Sequence, residues 1–188
     1  MNRALIITDN EILLKAFREI VKDIHPADWE FTYVCSTEGF SKNNPGTNVL
    51  NIKKSNLDYY KPYCLIISLH CKQLFPDWLA NGFRCINIHP GLNPYNRGWY
   101  PQIFSIINGL PIGGTIHEID TKLDHGNIIA QKEVTSWSWD NSYTLYLRVI
   151  KAEIELLRNN FMDILNNTYT TTPPAMEGNI NLKAIFYN

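Results

Sequence analysis

Two stretches of this chain are apolar without alternation, Arg3 to Thr8 (RALIIT) and Cys64 to Leu69 (CLIISL). A strand with one wet face alternates polar and apolar residues; a strand covered on both faces does not, and parallel strands packed between helices are of the second kind. After the first run come Asp9-Asn10 as a helix cap and then Ile12, Leu13, Ala16, Phe17, Ile20, Val21 and Ile24 at helical spacing. His25-Pro26 stops that helix, because a residue before proline is driven from the right-handed helical region, and Phe31 to Cys35 reads as a second strand. Strand, helix and strand in this order predict an α/β fold: a mainly parallel sheet of at least six strands, flanked by helices.

Further along, Thr37 to Thr47 holds two glycines, a proline and asparagines and reads as a surface loop, followed by a weak strand over Val49 to Ile52. Cys64 to Leu69 is expected at the centre of the sheet. A short helix over Pro76 to Asn81, closed by Gly82, precedes a strand over Arg84 to Ile88. Pro101 to Ile107 reads as a helix stopped by Asn108-Gly109, and Gly114 to Ile119 and Asn127 to Val134 as two more strands. Asp140-Asn141-Ser142 caps a long helix whose face is Leu145, Tyr146, Val149, Ile150, Ile154, Leu157, Phe161 and Ile164.

At 188 residues with 45% hydrophobic content, the chain has one domain's worth of core. Its net charge of −1 lacks the basic footprint of a nucleic-acid binder. No apolar stretch approaches a membrane span, and the N-terminal apolar run is too brief for a signal peptide, so a cytoplasmic protein without membrane partners is expected. Cys35, Cys64, Cys71 and Cys85 lie far apart, as reduced core thiols do. Neither the cysteines nor the five histidines show metal-ligand spacing, so no metal is expected. The turn Thr8-Asp9-Asn10-Glu11 lacks the glycines that let a pyrophosphate approach the backbone, which argues against a dinucleotide there.

Polar groups concentrate in three segments: Ser68 to Cys71, Asn87 to Gly91, and Asp120 to Gly126. In Asn87-x-His89 the period of two puts an amide and an imidazole on one face at the C-terminal end of a strand, where ligands of open α/β sheets gather. Such a pair suits acyl transfer, since the amide N–H can stabilise an oxyanion and the imidazole can move the proton of an attacking nucleophile. Asp124 is available to orient the imidazole. His70, His117 and His125 read as structural or exposed side chains.

The strings NIHPGLNPYNRGWYPQ (Asn87 to Gln102) and GGTIHEIDTKLDHGNII (Gly113 to Ile129) together resemble the folate-dependent formyltransferases. The resemblance is strong over Cys64 to Val134 and looser at the flanks. It implies a single Rossmann-like catalytic domain, here over 1–166 with a C-terminal tail over 167–188. It also implies 10-formyltetrahydrofolate as the formyl donor, and Asn87, His89 and Asp124 as the catalytic trio.

Glycinamide-ribotide formyltransferases carry a glycine-rich phosphate loop where this chain has Thr8-Asp9-Asn10, and the methionyl-tRNA branch has a Gly-Thr-Pro turn there and a second, basic domain. The segment Asn93 to Gln102 looks most like the sugar N-formyltransferases that act on dTDP-linked amino-dideoxy sugars for surface polysaccharide such as O-antigen. By that resemblance Asn93, Tyr95, Asn96, Arg97 and Trp99 contact the nucleotide sugar, with Arg97 pairing with its pyrophosphate and Tyr95 and Trp99 forming a wall. The folate falls to His70, Cys71, Lys72, Leu74, Thr121 and Asp124, with Leu74 and Phe75 readable also as plain core. Two other readings stay open: formyl transfer to another amine, on methionyl-tRNA or a ribotide, and a non-catalytic chain that binds nucleotide sugar or folate. Resembling sugar enzymes continue past the counterpart of Glu177 to Asn181 into elements that help dimerise them. The apolar ending Leu182 to Asn188 therefore suggests truncation, and with it an unsettled homodimer.

Overall fold

The N-terminal apolar run forms β1 (Asn2–Thr8), buried from Ala4 onward, and Asn10 caps α1 (Glu11–Ile24) by accepting the Leu13 N–H at 3.0 Å. The computed structural model describes residues 1–182, and the chain divides into two compact units, Met1–Asn87 and the described residues from Ile88 onward.

In the first unit α1 buries Leu13, Leu14, Ala16, Phe17 and Ile20, and leaves Ile12 exposed. It ends at His25, whose φ of 52° is left-handed, so the proline after it excludes the helical region as expected but the residue turns to the other side. There follow β2 (Trp29–Cys35), α2 (Glu38–Asn43), β3 (Thr47–Val49), a 3₁₀ turn at Ile52–Lys54, α3 (Leu57–Tyr60), β4 (Leu65–Leu69) and α4 (Asp77–Gly82). β1 pairs in parallel with β2 and β4, and β2 with β3. Every residue of β4 is buried, which is why its sequence shows no alternation.

Two expectations for this unit are corrected. The loop over Thr37 to Thr47 contains α2, because the Thr37 hydroxyl accepts the Phe40 N–H at 3.3 Å and starts a helical turn that composition concealed. The strand over Val49 to Ile52 ends at Val49, since Ile52 gives its N–H to the Gln73 side chain at 2.8 Å and begins the 3₁₀ turn. Of the thiols expected in the core, Cys35 and Cys85 are buried, Cys71 is half-buried and Cys64 is exposed.

β5 (Cys85–His89) runs across the division between the units. In the second unit β6 (Arg97–Gly98), α5 (Pro101–Asn108), β7 (Ile112–Glu118), β8 (Ile128–Val134), α6 (Ser142–Asn166) and β9 (Ile180–Asn181) follow. α5 stops at Gly109, left-handed at φ 63°. β7 and β8 are antiparallel with a shift in register at Ile116/His117, and α6, capped by Asn141, packs on both of them. The strands order β3-β2-β1-β4-β5-β7-β8 in a seven-stranded, mainly parallel sheet, with β4 in the middle, and β6 and β9 form a separate parallel pair. That second pair was not foreseen. No helix among the described residues is long and apolar enough to cross a membrane. The apolar ending lies outside the described residues from position 183 onward.

Candidate active site

Three elements of the second unit converge on one carboxylate. β5 ends in His89, which is buried, and its Nδ1 stands 3.5 Å from Asp124 Oδ2. Gly91 lies so close to that ring that a Cβ would meet His89 Nε2 at 2.5 Å; only glycine leaves the imidazole where it is. β7 delivers His117, also buried, with Nε2 3.7 Å from Asp124 Oδ1. The His117 Nδ1–H donates to the Glu118 carbonyl at 2.6 Å, which settles the ring's orientation and turns Nε2 toward the carboxylate. From β6, the Gly98 N–H donates to Asp124 Oδ2 at 3.0 Å.

Asp124 has a left-handed φ of 45°, which costs a non-glycine residue about 1–3 kcal/mol unless its surroundings impose it. Asn93 supplies one restraint, its Nδ2 donating to the Asp124 carbonyl at 2.8 Å. Burial pushes the Asp124 carboxyl up, but the imidazoles of His89 and His117 and the Gly98 N–H outweigh burial and hold it well below the usual carboxylate range. An ionised Asp124 facing His89 Nδ1 favours the proton on that nitrogen, which makes Nε2 the basic one. The arrangement is an oriented imidazole backed by a largely enclosed anion, fit for moving protons. Asn87 stands two residues before His89 on β5, partly exposed, at the end of the first unit.

The segment expected to meet the nucleotide sugar divides in two. Tyr95 and Trp99 are half-exposed, Trp99 against Tyr100 with ring centroids 5.6 Å apart. Asn93, Asn96 and Arg97 are buried and engaged by the protein. The Asn93 N–H donates to Thr115 Oγ1 at 3.1 Å, and its carbonyl accepts Gln131 Nε2 at 2.7 Å. Arg97, expected to pair with the pyrophosphate, is 1% exposed, and its Nη2 donates to Glu177 Oε1 at 3.1 Å.

In the first unit, the order of strands reverses between β1 and β4, the place where open α/β sheets form their crevice. Thr8 Oγ1 ties the two strand ends together through the Leu69 carbonyl at 2.9 Å. Of the residues expected to meet the folate, His70, Cys71 and Lys72 follow β4 directly at this point. His70 is left-handed at φ 52°, with Nδ1 3.0 Å from Asn10 Nδ2. The Cys71 thiol is pushed up to about 12 by burial and is no ready nucleophile. The Lys72 N–H donates to Asp9 Oδ2 at 2.9 Å. Leu74 is 62% exposed, so it is not core. Thr121, in the second unit, is exposed.

Reading the sequence missed His117, although Thr115 and His117 alternate on one strand and so share a face, and Thr115 is the partner of Asn93. It also missed Asp9, which accepts the Ser36 N–H and hydroxyl at 2.8 and 2.6 Å besides Lys72. An internal carboxylate thus occupies the turn where glycines were absent. Among the described residues no group of three His, Cys, Asp or Glu is arranged to hold a metal ion.

The family model described as formyl transferase matches residues 32–160. Over 142 residues the chain is 50% identical to the dTDP-4-amino-4,6-dideoxyglucose formyltransferase of Mycobacterium tuberculosis (strain ATCC 25618 / H37Rv), covering 76% of this chain and 61% of that one. The chain therefore spans about three-fifths of the length of that relative. A sugar N-formyltransferase from Shewanella sp FDAARGOS_354 superposes with a TM-score of 0.94 at 38% identity, over 99% of this chain and 78% of that one. A 4-N formyltransferase from Francisella tularensis gives a TM-score of 0.90 at 46% identity, over 97% and 77%.

Proposed function

Since the chain belongs to the formyl transferase family, we propose that it transfers the formyl group of 10-formyltetrahydrofolate to the primary amine of a dTDP-linked amino-dideoxy sugar, on the route to surface polysaccharide. The observation that carries this reading is the pair of buried His89 and largely enclosed Asp124, 3.5 Å apart, in the motif that the resemblance singles out. Half-identity to an enzyme named for dTDP-4-amino-4,6-dideoxyglucose favours that acceptor class over methionyl-tRNA or a ribotide. Asp9 agrees: its carboxylate, filling the turn after β1, repels a phosphate from the place where a ribotide would need one. Widely spaced thiols fit a cytoplasmic setting.

In this reading the amine nitrogen attacks the formyl carbon, and the carbonyl electrons move to oxygen, where the Asn87 amide N–H stabilises them. His89 Nε2 takes a proton from the attacking nitrogen, and Asp124 holds the resulting imidazolium. When the carbonyl re-forms, the bond to the folate nitrogen breaks and that nitrogen receives a proton, so the proton taken from the amine is returned to the leaving group. Leu74, held in solvent beside His70 to Lys72, offers an apolar face suited to a flat pterin ring. Tyr95 and Trp99 would wall the sugar nucleotide.

The test is mass spectrometry of dTDP-4-amino-4,6-dideoxyglucose after incubation with the protein and 10-formyltetrahydrofolate, beside a panel of other amines. The expected result is a product heavier by one carbonyl, lost in His89→Asn. Formylation of another amine alone, or ligand binding with no product, would overturn the reading.

A further inference from the structure

β6 has only two residues, yet it carries the backbone N–H that touches Asp124. Successive N–H groups of a strand point to opposite sides. The N–H groups of Arg97 and Trp99 both go to the segment of β9, donating to the carbonyl of Asn179 just before it at 3.0 Å and to the Asn181 carbonyl at 2.9 Å. The N–H of Gly98 must then point the other way, and there it meets Asp124 Oδ2. The register of β6 on β9 therefore aims the donor at the carboxylate. Gly98 tolerates no other residue: its φ is 93°, and a Cβ would collide with the Asn181 carbonyl and crowd Leu123.

Asn96 sets that register. It is wholly buried and left-handed at φ 52°. Its N–H donates to Asn179 Oδ1 at 2.9 Å and its Nδ2 to Ser105 Oγ at 2.9 Å. Its Oδ1 accepts from Asn179 Nδ2 at 2.8 Å, Asn181 Nδ2 at 3.1 Å and Asn108 Nδ2 at 3.2 Å. One amide thus fastens β9, the chain leading into it and α5 to the start of β6. At the other end of the same segment, Glu177 reaches Arg97 at 3.1 Å and, at 3.4 Å each, Lys122 and His125 Nε2 on the loop that carries Asp124. Gly178 packs so closely on the Pro94 carbonyl that a Cβ has no room.

We infer that Glu177–Asn181 is a strap that positions Asp124, and that Asn96 is the positioning residue through which it acts on the Gly98 N–H. The inference rests on the reading of Asp124 as part of the acid–base set. The groups facing Asp124 are His89 from β5, His117 from β7 and the Gly98 N–H from β6, with Asp120, Lys122 and His125 on its own loop. Of these the strap directs the Gly98 N–H and, through Glu177, steadies Lys122 and His125.

The experiment follows the Asp124 carboxyl through an acid titration by carbon NMR, alongside steady-state kinetics, in the parent, Asn96→Ala and Asn181→Ala. In Asn96→Ala, kcat should fall about tenfold or more, because a displacement of about 1 Å in a reacting group is that damaging, while KM for both substrates stays within about twofold. The Asp124 midpoint should rise by about one pH unit as the donor turns away. Asn181→Ala, which removes one of three donors to Asn96 Oδ1, should move both readouts the same way by less, and it serves if Asn96→Ala does not fold. A folded variant with an unmoved Asp124 midpoint, or with only KM raised, would overturn the strap. If the parent formylates none of the amines, the proposed reaction fails, but the midpoint shift still decides the strap.

Discussion

The two units of this chain spend their interiors differently. Between Met1 and Asn87 the buried set is nearly all aliphatic and aromatic, with only Thr8, Asn44, Thr47 and Ser68 as buried polar residues. Between Ile88 and Asn188 it includes His89, Asn93, Asn96, Arg97, Ser105, Thr115, His117, Glu153 and Asn181. Non-glycine residues in the left-handed region occur in both, but in the second unit Asn96, Tyr100 and Asp124 fall within 93–126, between the two ends of the motif. A buried polar group costs stability unless it is paired, so an interior of this kind is held by geometry where the first is held by area. The difference teaches where to look for chemistry: in the unit whose core is hydrogen-bonded and conformationally costly rather than merely packed.

If that contrast is right, the largest effect on rate comes from one polar group in the second unit. Asp124→Asn keeps the shape and removes the charge that orients His89, and turnover should drop by about 10²–10⁴, measured in the formyl-transfer assay. A variant within a few-fold of the parent would erase the distinction between the units. The complementary lesion is Leu5→Ala in β1, where the side chain is wholly buried. It should cost about 2–5 kcal/mol of unfolding free energy in denaturant titrations, with kcat per folded molecule unchanged. Loss of kcat in proportion to stability would show that the first unit, too, tunes the chemistry.

His117→Asn sharpens the comparison on the pH axis. The Asp124 carboxyl is held below its unfolded value of about 3.9, so its contribution to stability is present above that pH and is lost as pH falls through the folded value. Without His117 the folded value moves up toward the unfolded one. The contribution then shrinks and its acid loss begins at higher pH, visible as an earlier acid limb in thermal melts below pH 5. Acid limbs that coincide would remove His117 from the site.

How much of this was legible follows the same division. α1 and α6 announce themselves through helical periodicity, β1 and β4 through unbroken apolar runs, and the His89 and Asp124 positions through two short strings. α2 escaped because glycine and asparagine obscured the Thr37 cap. The β6–β9 pair escaped because each strand has two residues and joins positions some 80 apart, leaving no periodicity to detect. Nor does any pattern announce that the Arg97 guanidinium is buried, since its partner Glu177 lies 80 positions away. Local order is written locally; a partner brought in by the chain's return is not.

The smallest effect is expected from Asn141→Ala, and it tests whether the contrast lies between units or between kinds of structure. α6 belongs to the second unit but, apart from buried Glu153, is built as the first unit is, with Leu145, Val149, Leu157, Phe161 and Ile164 buried along one face. Its start is a capping box: Asn141 Oδ1 accepts the N–H groups of Tyr143 and Thr144 at 2.9 and 3.0 Å, and Thr144 Oγ1 accepts the Asn141 N–H at 3.1 Å. Alanine there leaves those donors to water at an exposed helix end, a loss typically of about 1 kcal/mol. Because Asp140 stays paired with Arg148 at 2.9 Å, the first turn should fray rather than dissolve. Thermal denaturation should therefore show a modest drop, while kcat, both KM values and the Asp124 midpoint stay at parent values. A changed midpoint would mean that α6 transmits to the carboxylate through β7, on which it packs, and that regular scaffold and hydrogen-bonded site are one structure rather than two.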